Sequence, residues 1–271
     1  MARDGIMMVA TGQQRVGKTY QTTLYMDLYV RDIPSQGWKG QKVLIFDTNM
    51  EYTQYKSIHV KNIKRFTAQK QPEIRRILPL NDDGSIMGIE EKIEVLKQIL
   101  ACFAKGLILL EDLNSYLVDA RTDYLIAALT TVRHREVDVM IHYQTLAKVP
   151  PLMRENTAVF RLHKQQETID GYKGRLPFYE LLKIGEYLVN QQYFSGNERF
   201  FCYVSGSFGY IKGKFDKKDL ENACRLYAEG NSPETKVLVR RYKGTSNAYE
   251  KAVNEVTKEL MVKYYKPGKQ Q

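Results

Sequence analysis

Three cysteines, Cys102, Cys202 and Cys224, are all the thiols in 271 residues, and no C-x-x-C pair occurs. That excludes a disulfide framework and a cysteine zinc site, and it suits a reducing compartment. The four histidines (His59, His134, His142 and His163) show no metal-like pairing, so ordinary core or surface use is expected of them. No run approaches the ~18 apolar residues of a membrane helix. No basic helix shows an apolar face with Trp or Phe anchors for a membrane surface. Met1-Ala2-Arg3-Asp4 leads straight into a strand-like segment, so no signal peptide is expected there. Internal repeats and low-complexity tracts are missing. Nineteen tyrosines occur without the spacing of a single-strand base-stacking motif.

Acidic residues are also short: 31 Asp and Glu against 41 Lys and Arg, a net charge of +10. The excess is uneven. Residues 56–76 carry Lys56, Lys61, Lys64, Arg65, Lys70, Arg75 and Arg76 against Glu73 alone, and residues 236–271 carry nine Lys/Arg against three Glu. Clusters of this kind fit a polyanion, most simply nucleic acid, although a solvated basic face has the same composition.

The apolar share of 43% supports a full core, and the length accommodates one α/β domain with an appendage. Apolar segments at 6–11, 43–47, 107–111, 137–142 and 158–162 alternate with helical stretches near 18–31, 89–104 and 119–134. Such alternation predicts a parallel sheet with crossover helices. The segments at 43–47, 107–111 and 137–142 are short and apolar, as strands covered on both faces should be. A further short strand is expected at 63–67. After about residue 165 the pattern changes: a helix at 176–194, a hairpin formed by 199–204 and 209–214, a helix beginning after Asp216 as N-cap, and a basic amphipathic helix at 246–264. The expected organisation is a core at 1–165 and a basic α+β extension at 166–271.

Between the first strand and first helix, Gly12-Gln13-Gln14-Arg15-Val16-Gly17-Lys18-Thr19 reads G-x-x-x-x-G-K-T. Strand, glycine loop and helix are the context a phosphate-binding loop requires. The glycines let backbone N–H groups turn inward around a triphosphate, Lys18 reaches the β- and γ-phosphates, and the Thr19 hydroxyl can ligate Mg²⁺. Gly12 to Thr19, with Tyr20 following, are the expected ATP-binding residues.

Hydrolysis needs acids and a cation as well. Leu107-Ile108-Leu109-Leu110 is followed by Glu111-Asp112. An apolar strand that delivers paired acids to its C-terminal edge describes a Walker B strand, where ligands of open α/β sheets sit. One acid supports Mg²⁺ and the next serves as general base. Arg133-His134-Arg135 precedes the strand at 137–142, and Gln144 follows it. A Gln there can touch the γ-phosphate or the attacking water. An Arg there is placed to reach a neighbouring subunit's nucleotide as an arginine finger.

With these residues together, the chain resembles the FtsK–HerA superfamily of DNA-translocating ATPases. The eleven-residue spacing from Arg133 to Gln144 is similar to the family's, and so is Asp47-Thr48-Asn49-Met50-Glu51-Tyr52, an Asp followed by Glu-Tyr after the second strand. Pro150-Pro151-Leu152-Met153-Arg154-Glu155-Asn156 resembles the family's P-x-x-x-R-x-N segment, and Arg133 to Asp138 resembles the Arg-His-Arg-Gly-x-Asp stretch of Zot-like phage proteins. The likeness covers residues 5–165. It implies a RecA-like (ASCE) P-loop fold and a ring, pentameric or hexameric, that moves double-stranded DNA. It also implies ATP and Mg²⁺ as cofactors, with Glu111 and Thr19 on the metal, and Asp112, Arg133 and Gln144 in catalysis. Among small members, viral genome-packaging ATPases fit best, working in the host cytoplasm or on the virion and docking on a capsid vertex or portal. Zot-like or conjugation-type DNA transfer is the alternative, followed by a nucleotide kinase or a non-catalytic ATP-binding scaffold. Two departures stand out. The family usually has Asp-Glu where this chain has Glu111-Asp112, which leaves the division of labour between them open. Its glycines around the Arg segment are Val132 and Glu136 here, so the finger is Arg133 or Arg135.

Overall fold

In the computed structural model the described residues are 4–113, 127–129, 131–230 and 232–266. The chain divides into two compact units. The first holds residues 1–10, 17–144 and 148–158, and the second 11–16, 145–147 and 159–271.

The first unit is built on parallel strands. In chain order its elements are β1 (Met7–Thr11), α1 (Lys18–Tyr29), β2 (Lys42–Phe46), α2 (Ile63–Ala68), β3 (Ile74–Ile77), α3 (Ile89–Cys102), β4 (Gly106–Leu110), β5 (Val137–Tyr143) and α4 (Pro151–Asn156). The strands lie in the order β3-β2-β4-β5-β1. β2 pairs in parallel with β3 (Phe46 opposite Ile77) and with β4 (Phe46 opposite Leu110), and β4 with β5 (Leu110 opposite Ile141). β2, β4 and β5 are buried along their whole length, as their unbroken apolar runs require when both faces are covered. The register brings the ends of β2 and β4 level, and β5 runs two residues beyond Ile141, so that Asp47, Glu111 and Gln144 follow strands that stop on the same side of the sheet.

Two polar pins fix this frame. Asp138, buried on β5, accepts bonds from Ile6 N (2.8 Å) and Tyr29 Oη (2.8 Å), tying the entry of β1 and the end of α1 to the sheet. At the same end of β5, just before its first residue, Arg135 donates through Nη1 to Ala101 O (2.9 Å) and through Nη2 to Leu100 O. Those carbonyls lie in the last turn of α3, which has no basic residue of its own. The guanidinium therefore supplies donors and positive charge where the helix leaves orphan acceptors.

The segment expected as a strand at 63–67 is helix α2. Ile63 and Phe66 are its buried residues, three positions apart. That is helical spacing, which the β-branched Ile and Thr obscure in so short a run. The parallel edge strand is instead β3, a segment containing Arg75 and Arg76 where no strand was expected. The helix expected at 119–134 falls largely outside the described residues; 127–129 and 131 are helical.

The second unit carries β6 (Val159–His163), α5 (Tyr179–Phe194), β7 (Phe201–Ser205), β8 (Tyr210–Gly213), α6 (Lys217–Glu229), α7 (Pro233–Arg241) and α8 (Ala248–Tyr264). β6, β7 and β8 are antiparallel neighbours. The hairpin is the expected one. α6 begins as read from the sequence: the Asp216 carboxylate accepts from Asp219 N (2.8 Å), and Asp219 returns the bond to Asp216 N. α7 was not anticipated, although Ser232 caps Thr235 N (3.1 Å) and Pro233 opens it, a start signal legible in Ser-Pro-Glu-Thr. Lys183, on α5, is buried against Glu186 (2.6 Å) and Asp170 (2.9 Å), and the Glu186 carboxylate accepts from Ile169 N. Among the described residues, no helix is long and apolar enough to cross a membrane.

Candidate nucleotide site

The loop Gly12–Thr19 passes from one unit to the other between Val16 and Gly17, and each stretch has its own neighbours. Gly12 is packed so closely that a Cβ there would lie 2.6 Å from His163 Cβ. Gln13 N donates to Lys164 O (2.7 Å), and the His163 ring meets Val16 O through Nδ1 (3.2 Å). Val16 is buried, while Gln14 and Arg15 are exposed, Arg15 with a left-handed φ of 65°. Gly17 has φ 85° and sits as N-cap of α1, a conformation that costs a side-chain-bearing residue roughly 1–2 kcal/mol. Lys18 and Thr19 then form the first turn of α1, whose N-terminus turns N–H groups and positive dipole toward an anion. Tyr20 is exposed.

In the first unit, the residues that follow β2 and β4 meet the start of α1. Asp47 is fully buried and accepts three bonds: Glu51 N (2.9 Å), Tyr52 N (3.1 Å) and Arg76 Nη1 (2.9 Å). Met50, with φ 57°, reverses the chain just before Glu51. Consecutive side chains of this turn then reach different targets. Glu51 Oε2 accepts from the Thr19 hydroxyl (3.1 Å), and Tyr52 donates its phenolic proton to Glu111 Oε1. Thr48 Oγ1 donates to Glu111 O (3.0 Å).

Glu111 is 5% exposed. The same Oε1 is 2.9 Å from His142 Nδ1, and His142 Nε2 lies 2.8 Å from Thr22 Oγ1 on α1. Through an Nδ1 proton the ring donates to the carboxylate. Burial alone would raise the Glu111 pKa. The charge and hydrogen bond of His142, the Tyr52 hydroxyl and the nearby Lys18 charge hold it below the ordinary carboxylate range instead. Glu111 is thus an ionised acid wired through His142 to the phosphate-loop helix.

Asp112 follows with φ 42°, half-buried. Gln144 is exposed, one residue past β5. Arg133 lies in the 3₁₀ turn Val132–Arg135, and its side chain is outside the described residues. Glu136 has φ 60°, a left-handed conformation more natural to glycine.

Thr19, Glu51 and Glu111 offer hard oxygen donors. That chemistry suits Mg²⁺, which takes one or two protein ligands and completes its octahedron with phosphate and water.

Of the basic segment 56–76, Arg76 is committed to Asp47, Arg75 to Glu73 (2.8 Å) and Lys61 to Asp82 (3.2 Å). Lys56, Lys64, Arg65 and Lys70 are exposed.

His142, Glu51 and Tyr52 were not among the site residues expected from sequence. Glu51 and Tyr52 had a signal in the Asp-x-x-x-Glu-Tyr pattern. His142, inside an apolar strand, had none.

A parallel sheet covered by helices, with a glycine loop after β1 and acids after β4, is an α/β fold of the P-loop, RecA-like type. Comparison with solved structures finds similar chains. The chain is similar to the DNA-packaging ATPase B204 from Sulfolobus turreted icosahedral virus, with 15% identity, 78% of this chain and 97% of that chain covered, and a TM-score of 0.50. The genome packaging NTPase B204 from Sulfolobus turreted icosahedral virus 2 in complex with AMPPCP gives 15% identity, 77% and 96% coverage and a TM-score of 0.48. The N-terminal domain of zonular occludens toxin from Neisseria meningitidis gives 11%, 58% and 75%, and 0.34. No family model and no characterised protein sequence matches the chain. At 15% identity to the DNA-packaging ATPase B204, only the fold is held in common.

Proposed function

We propose that this chain is an ATP-driven double-stranded DNA translocase, a viral genome-packaging motor ATPase. The observation that carries the reading is the Asp47 turn. It ties the phosphate-loop Thr19, through Glu51, and the Walker B Glu111, through Tyr52, into one polar assembly. An isolated phosphate loop has no need of such a linkage; a hydrolytic site does, because acids and phosphates must be held within fractions of an ångström.

In this reading the N–H groups of Gly12–Thr19 wrap the triphosphate of ATP and Lys18 holds its β- and γ-oxygens. Tyr20 flanks the nucleotide. Thr19 and the Glu111 side of the assembly would hold Mg²⁺, which supplies charge neutralisation on the β- and γ-phosphates. Asp112, half-buried beside the anchored Glu111, accepts the proton of the attacking water, and Gln144 orients that water. Arg133 reaches the neighbouring subunit's nucleotide in a homo-oligomeric ring. The engagement of Arg135 with the end of α3 favours Arg133 for that role. Lys56, Lys64, Arg65 and Lys70 grip DNA phosphates, contacts that carry little sequence information and so suit a motor that moves any sequence. The C-terminal basic segment serves the same grip or docks on a capsid vertex or portal, in the host cytoplasm or on the virion.

The buried state of Arg154 and Arg161 counts against an arginine lid of the nucleotide-kinase kind.

The test is ATP hydrolysis with and without double-stranded DNA. Stimulation by DNA that Lys18→Ala abolishes is expected. Hydrolysis that DNA leaves unchanged, or that survives Lys18→Ala, overturns the reading. Doping wild type with Arg133→Ala subunits should depress activity more than proportionally.

A further inference from the structure

In a phosphate-loop site the hydroxyl after the lysine touches the metal of the bound nucleotide. Whichever carboxylate reaches that hydroxyl stands beside the metal position. By sequence this should be the first acid after the Walker B strand, Glu111. In the structure it is Glu51, whose Oε2 lies 3.1 Å from Thr19 Oγ1.

The two acids differ in what they are free to do. Glu111 is buried, and its Oε1 takes bonds from both Tyr52 and His142. Glu51 is exposed at the solvent side. It is nevertheless fixed by its backbone: Asp47 holds Glu51 N and Tyr52 N, and Met50 N bonds Asp47 O (3.2 Å). An accessible carboxylate on a pinned turn is a better metal ligand than a buried one already saturated at one oxygen.

We propose that Glu51 is the carboxylate that, with Thr19, holds the Mg²⁺ of the bound nucleotide, while Glu111 is the positioning acid behind it, locking Tyr52, and through it the turn, to β4 and α1. The assignment rests on the ATP reading above and refines it. It moves the metal-side acid from the Walker B strand to the turn after β2, and it gives the Asp-x-x-x-Glu-Tyr pattern a division of labour: Asp47 builds the turn, Glu51 faces the metal, and Tyr52 fastens the turn to Glu111.

The experiment measures binding without turnover. ADP affinity is determined by calorimetry with and without Mg²⁺, and Mn²⁺ binding to the ADP complex by electron paramagnetic resonance, for wild type, Glu51→Gln, Glu51→Asp and Glu111→Gln. Glu51→Gln should weaken Mn²⁺ binding by about tenfold or more and erase most of the gain that Mg²⁺ gives ADP. Metal-free ADP should bind as well as before or better, because a negative charge beside the phosphates is gone. Glu51→Asp, which keeps the charge on a shorter arm, should fall between. A Glu51→Gln protein whose Mn²⁺ half-saturation stays within about twofold of wild type overturns the assignment. So does a Glu111→Gln protein that loses more metal affinity than Glu51→Gln. Lys18→Ala separates the two levels: if it binds ADP as wild type does, the phosphate-loop reading itself falls, whatever Glu51 does.

Discussion

Replacing Asp47 by Ala should be among the costliest single changes in the first unit. The carboxylate is fully buried and accepts from two backbone N–H groups and from Arg76, whose own side chain is only 14% exposed. Removing it strands a largely buried guanidinium, at about 3–5 kcal/mol for a broken buried pair. It also leaves two amides without their acceptor, at about 1–3 kcal/mol each if water cannot reach them. These terms overlap, because a collapsed turn readmits water, and a net loss of about 4 kcal/mol is the reasoned value. At about 2–4 °C per kcal/mol for a domain of 150–250 residues, melting should fall by about 8–16 °C. Asp47→Asn keeps an acceptor for the amides but loses the charge and turns an NH₂ toward Arg76, so about half the loss is expected. Trp38, the single tryptophan, donates to Tyr29 O (3.2 Å) and stacks edge-on against Tyr29 in the same unit. Its fluorescence in a urea titration therefore reports this unit's unfolding. In a cycle with Arg76→Met, the double variant should be less destabilised than the sum of the singles, because the methionine no longer strands a charge. A loss below about 1 kcal/mol for Asp47→Ala, or strict additivity in the cycle, would refute the claim that this carboxylate organises the turn.

Gly12→Ala would place a Cβ 2.6 Å from His163 Cβ and 3.1 Å from Val16 Cγ2. Overpacking of this kind costs about 1–3 kcal/mol, and the displaced loop should bind nucleotide more weakly; an isothermal titration with ADP that matches wild type would contradict the close packing. Glu111 sets an acid limit on stability. Its folded-state pKa is lowered from the ordinary 4.5, so its contribution is complete above that value and drains away as pH falls through the folded-state pKa. Thermal melts on the acid side should steepen in wild type and flatten in Glu111→Gln, and parallel curves for the two proteins would speak against the ionised, hydrogen-bonded carboxylate.

The legible part of this protein is the part written in local pattern. Gly12–Thr19 names its own loop because Gly17 must take a left-handed φ and Lys18 must follow it. The runs at 42–46, 106–110 and 137–143 declare a covered parallel sheet because both faces of such strands meet apolar neighbours. Asp216 and Asp219 spell out a capping box. The strand expected at 63–67 failed because four or five residues cannot distinguish a period of two from one of 3.6, and Ile63 with Phe66 fit the helix once α3 was there to cover them.

What the tertiary structure alone decided is which acid meets which partner. Glu111 and Asp112 are adjacent in sequence, yet one is buried under Tyr52 and His142 while the other stands half-buried at φ 42°. Glu51 is 32 residues from Thr19 and bonds its hydroxyl. His142, unremarkable inside an apolar strand, joins Glu111 to Thr22. Arg135 is engaged with the end of α3, which no spacing rule foretold. Composition and spacing determined the glycine loop, the parallel sheet and the basic charge excess, since each depends on neighbours in the chain or on summed charge. The wiring of the acids depends on where β2, β4 and β5 end relative to one another, and only the register of the folded sheet sets that.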